Sequence, residues 1–109
     1  MDAKLTNILT ELRTGLVELY GERLKAVVLY GSQARGDARP DWHSDIDVAF
    51  ILDDFADSWP EIRRTSQLVS DLSLAYDITV SALPFRERDW QEAVSPLMVN
   101  IRREGIPVA

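Results

Sequence analysis

Apolar residues recur at helical spacing through the first segment. Leu5, Ile8, Leu9, Leu12, Leu16, Leu19 and Tyr20 share a face, while Lys4, Glu11, Arg13 and Glu18 fall largely elsewhere. That spacing predicts an amphipathic helix over Ala3 to Tyr20 packed on a core, with Asp2 capping its start and Gly21 its end. Gly15, inside it, costs up to about 1 kcal/mol against alanine, and nothing in the local pattern accounts for it. The periodicity then changes. Ala26-Val27-Val28-Leu29-Tyr30 is a short, continuously apolar run ended by glycine, which predicts a buried strand. Ser32 to Asp37 reads as a helical turn, and Ala38 to His43, with Pro40, as an exposed loop. Asp45 to Leu52 reads as a second strand with Ile46, Val48, Phe50 and Leu52 on its core side.

In the second half, Asp57 or Ser58 can cap a helix from about Trp59 to Tyr76, with Ile62, Leu68, Val69, Leu72 and Ala75 turned inward. Ile78 to Leu83 predicts a third strand, opened by Asp77 and closed by Pro84. A helical piece follows over Arg86 to Val94. Ser95-Pro96 then reads as an N-cap with proline at the first helical position, starting a last helix that runs through Arg103 and stops at Gly105. Ile106-Pro107-Val108 suits a sheet edge. The order of elements predicts an α/β (α+β) fold, a small mixed sheet packed with helices, in one domain over residues 1–109.

Composition narrows the function. A chain of 109 residues with 46% hydrophobic content can bury one modest core. No apolar run approaches the roughly 20 residues that span a bilayer. The N-terminus lacks the basic start and apolar stretch of a signal peptide, and there are no cysteines. The expectation is a cytoplasmic protein without disulfides or thiolate metal sites. Twelve Lys and Arg against eighteen Asp and Glu give a net charge of −6. A protein that grips nucleic acid by counterion release is usually basic, so no direct nucleic-acid partner is expected. The acidic balance suits docking onto a basic protein, or solubility alone.

The chemistry concentrates in Tyr30-Gly31-Ser32-Gln33-Ala34-Arg35-Gly36, followed eight residues later by Ser44-Asp45-Ile46-Asp47. A strand that ends in glycine and enters a helical turn aims free backbone N–H groups at one point, where they can bind an anion. Gly31 allows close approach and Ser32 can add a hydroxyl donor. The turn is not a Walker P-loop, because its spacing and lysine are absent. Arg35 pairs either with phosphate or with a nearby acid. On a strand, Asp45 and Asp47 point the same way with Cα atoms roughly 6.5–7 Å apart. Phosphates and carboxylates repel, so the pairing makes chemical sense mainly around a divalent cation. Each half alone has a plain alternative: solvated or capping aspartates, and an ordinary strand-to-helix turn. His43, the only histidine, reads as an exposed loop residue, and Trp42 either stacks on a base or covers the loop. Asp53 and Asp54 read as turn residues, Trp59 and Trp90 as core or interface, and Met98 as core.

Gly31-Ser32, Ala34-Arg35-Gly36 and Ser44-Asp45-Ile46-Asp47 together resemble the motif of the DNA polymerase β-type nucleotidyltransferase superfamily, and most closely its minimal nucleotidyltransferase (MNT) members. The tail from Asn100 to Val108 is similar to the usual end of MNT domains. The resemblance implies a polymerase β-like fold in which Gly31 and Ser32 hold nucleotide phosphates and Asp45 and Asp47 bridge two Mg²⁺ ions. It also implies a third acid on a later strand, the place expected for Asp77. It further implies ATP as substrate and a HEPN-type toxin as partner, with the chain as the antitoxin that transfers AMP to a toxin tyrosine. The acceptor site would come from the partner or a second copy, in a hetero-oligomer or a homodimer. A non-catalytic antitoxin that acts by binding, and an enzyme that modifies a small-molecule hydroxyl, are the alternatives.

Overall fold

The computed structural model describes residues 3–36 and 45–109. The proposed cap Asp2, the loop with Trp42 and His43, and Ser44 lie outside the described residues. Helix α1 (Ala3–Tyr20) leads through a 3₁₀ turn (Gly21–Arg23) into β1 (Leu24–Tyr30), then a short helix α2 (Gly31–Arg35). After β2 (Ile46–Leu52) come α3 (Ser58–Tyr76), β3 (Val80–Arg86), α4 (Glu87–Glu92), α5 (Pro96–Glu104) and β4 (Ile106–Pro107). The strands form one sheet in the order β3-β2-β1-β4. β1 runs antiparallel to β2 and β4, and β2 runs parallel to β3, so the sheet is mixed as expected.

Central strand β2 is buried on both faces. Ile46, Val48, Phe50 and Leu52 join Val27, Leu29, Val80 and the inner side of α1 in the larger core. Ala49 and Ile51 turn to the other face, where Val28 and Ile101 close a smaller core flanked by Phe85 and Trp90. This explains why the β2 sequence is apolar at nearly every position. Gly15 also finds its reason. A Cβ there would lie 2.5 Å from a methyl of Leu68 on α3, so glycine lets the two helices approach closely.

Several boundaries move. Strand β3 begins two residues later than the alternation suggests and continues through Pro84 to Arg86. The backbone N–H of Ile78 still bonds to the Ser73 carbonyl, and Asp77 takes a left-handed conformation (φ 52°) as the C-cap of α3. Pro84 is tolerated because β3 is an edge strand, where a missing N–H breaks no ladder bond on the open side. Arg86 therefore ends a strand instead of starting a helix. On α3, Ala75 faces solvent, whereas Glu61 and Thr65, which are polar and were not expected inside, are buried. Leu19 of α1 is also exposed. Asp57 and Ser95 act as caps, accepting the N–H of Trp59 and Met98. The closing Ile106–Pro107 pairs with Val28 and Leu29 at the sheet edge, as expected.

Glu61 is 6% exposed and is admitted to the core by Tyr20, whose hydroxyl donates to Glu61 Oε1 at 2.9 Å. Burial raises the Tyr20 pKa, the Glu61 bond raises it further, and nearby Arg64 and Arg23 oppose the shift. The unfolded chain therefore loses this proton first, and stability falls as pH climbs above about 10. Tyr20→Phe should lower unfolding free energy by about 2 kcal/mol at neutral pH, by removing the hydroxyl donor of Glu61 and leaving it only the longer contact with Arg64. It should also flatten the alkaline limb. Urea denaturation at pH 7 and at pH 10.5 would measure both.

Candidate active site

Sheet register assembles the site. Tyr30 at the end of β1 pairs with Asp47 near the start of β2, and Asp47 pairs with Ser81 of β3. These three make one cross-strand row on the face of the smaller core, at the end where its apolar side chains stop. The next rows along that face are Val28–Ala49–Leu83 and Ala26–Ile51–Phe85. Asp45 immediately precedes β2, anchored by the N–H of Ile46 donating to the Thr79 carbonyl at 2.8 Å.

Gly31 turns the chain from β1 into α2 with φ of 74°, a conformation that side-chain-bearing residues rarely adopt. A Cβ at Gly31 would stand 2.7 Å from Asp47 Oδ2. The Gly31 turn and the Asp47 carboxylate therefore touch, and only glycine permits it. Ser32 follows in the first turn of α2 and is half-buried.

Electrostatics at this row is unfavourable to charge. Burial lifts the Asp47 carboxyl above its usual value, Asp45 adds to the shift, and Arg35 draws it back. Burial and the Asp47 charge likewise raise the Tyr30 hydroxyl. Arg35 also lies 3.4 Å from Glu104 at the end of α5. Of the two alternatives for Arg35, the structure shows the pairing with an acid, and the guanidinium also acts on the Asp47 carboxyl.

Asp77 is not brought to this row. It is exposed, caps α3, and lies three residues ahead of β3, so it does not open a strand beside Asp47. Among the described residues no three acidic or histidine side chains converge as a metal cluster. The physical reason is local: the last turn of α3 continues through Tyr76, and the left-handed cap turns the chain before the strand starts. The β3 residue that does flank Asp47 is Ser81, which sequence reasoning passed over. Its phase in the alternation Val80-Ser81-Ala82-Leu83 was readable, but the register against β2 was not. Glu104 was also missed, and no local pattern marks it as the partner of Arg35.

The other candidates fall elsewhere. Asp53 and Asp54 follow β2 and hold Arg23, which donates from Nε to Asp53 Oδ1 at 3.1 Å and from a terminal nitrogen to the Asp54 carbonyl. Those bonds, and the Asp54 N–H above all, hold the Asp53 carboxyl below its usual value. Trp90 packs beside Phe85 and Met98 is buried, whereas Trp59 is largely exposed. A groove of about 330 Å³ lined by Phe55, Ser58, Phe85, Arg86 and Met98 sits at the opposite end of β2 and β3 and shares no residue with the Asp47 row.

A family model described as the nucleotidyltransferase domain matches residues 9–96. The chain belongs to this nucleotidyltransferase family. A candidate protein adenylyltransferase of Methanocaldococcus jannaschii is 29% identical over 84 residues, which is 77% of this chain and 82% of that protein. Among solved structures, a candidate minimal nucleotidyltransferase superposes with TM-score 0.64 at 22% identity, covering 98% of this chain and 96% of the other. A toxin–antitoxin crystal structure with AMP-PNP gives TM-score 0.65 at 21% identity, covering 95% and 72%. A Shewanella oneidensis complex of tri-AMPylated HEPN toxin with MNT antitoxin gives 0.52 at 17%, covering 93% and 71%. At these identities the superpositions establish the nucleotidyltransferase fold.

Gly31→Ala tests the contact at the centre of the site. The added methyl meets Asp47 Oδ2 and forces a strained φ, so nucleotidyl transfer should fall at least about tenfold. A melting temperature lowered by only a few degrees would show that the loss is local. Single-turnover transfer and thermal melts of the same preparation would check both.

Proposed function

We propose that the protein is an Mg²⁺-dependent protein adenylyltransferase of the minimal nucleotidyltransferase kind. In this reading it is the antitoxin of a HEPN-type toxin and transfers AMP from ATP to a toxin tyrosine. One observation carries the proposal: Asp47 stands against the Gly31 turn with Asp45 beside it, in a chain of this family. The named relative supports a protein acceptor, and the toxin–antitoxin neighbours with AMP-PNP and with AMPylated toxin support ATP and a HEPN partner. Residues 1–109 act as one domain in the cytoplasm, in a hetero-oligomer with the toxin. Among the described residues no helix is long and apolar enough to cross a membrane.

The donor set fits a hard divalent cation, because Asp45 and Asp47 offer only carboxylate oxygens and partial burial leaves the Asp47 charge poorly solvated. A bound Mg²⁺ would neutralise that charge and polarise the phosphates of ATP. Gly31 and Ser32 hold the β- and γ-phosphates through backbone N–H groups and the serine hydroxyl, which orients pyrophosphate as the leaving group. Arg35, fixed on one side by Glu104, adds positive charge beside the turn. In the reaction the acceptor oxygen bonds to the α-phosphorus, the bond from that phosphorus to pyrophosphate breaks, and the tyrosine hydroxyl gives up its proton. Asp77 has no part in this assignment.

The acidic balance of −6 favours a second reading, in which the chain neutralises a basic RNA-binding partner by contact alone. Purified protein, Mg²⁺, α-labelled ATP and the HEPN protein separate the two. The wild type should label the toxin, while Asp45→Ala and Asp47→Ala should each lose at least about 100-fold of the labelling rate. Neutralisation by both variants without any labelling by wild type would establish the binding reading.

A further inference from the structure

The third place of the metal site is open to reassignment, and sheet register supplies the residue. Asp47 has two lateral neighbours, Tyr30 on β1 and Ser81 on β3. In a parallel pair, residues in register present side chains on the same face, with strands roughly 4.8 Å apart. Ser81 is therefore the β3 side chain beside Asp47 on the site face. Leu83 and Phe85 repeat that phase, and Phe85 packs on the smaller core of the same face. Ser81 is half-buried, and among the described residues its hydroxyl forms no side-chain hydrogen bond. By contrast, Ser73 and Ser95 spend their hydroxyls on backbone groups. Asp77 lies off the strand at the helix cap.

We propose that Ser81, not Asp77, is the third group of the cation site. The site thus pairs two carboxylates with one neutral hydroxyl oxygen. This rests on the reading of Asp45 and Asp47 as metal ligands. The consequence is electrostatic: two carboxylates balance a single divalent ion, and a hydroxyl contributes an oxygen without further negative charge. Such a site holds a cation more weakly than three carboxylates would. A carboxylate placed at Ser81 enters a position already facing the pair, so it converts the site to the stronger kind. Nothing similar follows from changing Asp77.

Titration of MnCl₂ into the nucleotide-free protein, followed by the electron paramagnetic resonance of free Mn²⁺, tests the assignment without reference to turnover. Ser81→Asp should tighten Mn²⁺ at least about tenfold, and Ser81→Ala should weaken it about threefold. Asp77→Asn should stay within twofold of wild type, while Asp47→Asn should lose at least tenfold. Circular dichroism melts identify any variant that fails to fold, and Ser81→Ala carries the test if Ser81→Asp does not. The assignment is overturned if Asp77→Asn weakens binding as much as Asp47→Asn does. It is also overturned if the folded Ser81 variants bind Mn²⁺ as wild type does. Wild type and Asp47→Asn that both ignore Mn²⁺ would instead remove the metal reading on which the assignment stands.

Discussion

The antiparallel register of β1 on β2 is the constraint on which the rest of the molecule depends. It sets Tyr30 opposite Asp47 and so brings the Gly31 turn, the next residue in the chain, against the Asp47 carboxylate. A slip by one residue would exchange the two faces of β2. Asp47 would then enter the core beneath α1 and α3, and Val48 would take its place in the site. Burial on both faces forbids this, because Phe50, Ile46, Val48 and Leu52 fill one core while Ala49 and Ile51 fill the other. The apolar middle of β2 thus fixes the position of the polar residues at its start.

The same end of the sheet gathers the last part of the chain. Gly105 donates to the Ile101 carbonyl, β4 pairs with Val28 and Leu29, and Val108 donates to the Val27 carbonyl. These bonds hold Glu104 beside α2, where it meets Arg35. Both side chains are partly solvated, so the pair adds little to stability, about 0–1 kcal/mol for such ion pairs. Its value is directional. It ties a long, flexible guanidinium to a fixed point next to the turn, and it couples the end of α5 to the Gly31 turn.

What could be read from sequence followed the range of each interaction. Helices α1 and α3, the caps Asp57 and Ser95, and the apolar strand β2 depend on neighbours within a few residues, and they appear where periodicity places them. The family motif was equally legible, because Gly31, Ser32, Asp45 and Asp47 are local to one strand-turn-strand. The misreadings involve longer range. Asp77 looks like a strand opener until the left-handed cap of α3 is known, and Pro84 looks like a strand end until β3 proves to be an edge. Glu61 enters the core where Arg64 lies 3.8 Å from its Oε1 and Tyr20, 41 residues earlier, supplies a hydroxyl to the same oxygen. No window of sequence contains that pair. Ser81 belongs to the same class, since its meaning depends on lateral pairing and its identity is ordinary.

Under the proposed function, an acidic protein must bring a triphosphate to a site that already carries carboxylates. The carboxyl of Asp47 is already disfavoured as an anion by burial and by Asp45, and among the described residues Arg35 opposes that shift. Bringing phosphates to the Gly31 turn would add repulsion against those same oxygens. Backbone N–H groups and one guanidinium cannot offset it alone, because the guanidinium is shared with Glu104. A cation between the two sets of oxygens turns each repulsive pair into a bridged one, so nucleotide and metal should bind as a unit. On the proposed function, the negative groups that make the resting site costly would be the ones that favour a metal-bound phosphate over a bare one.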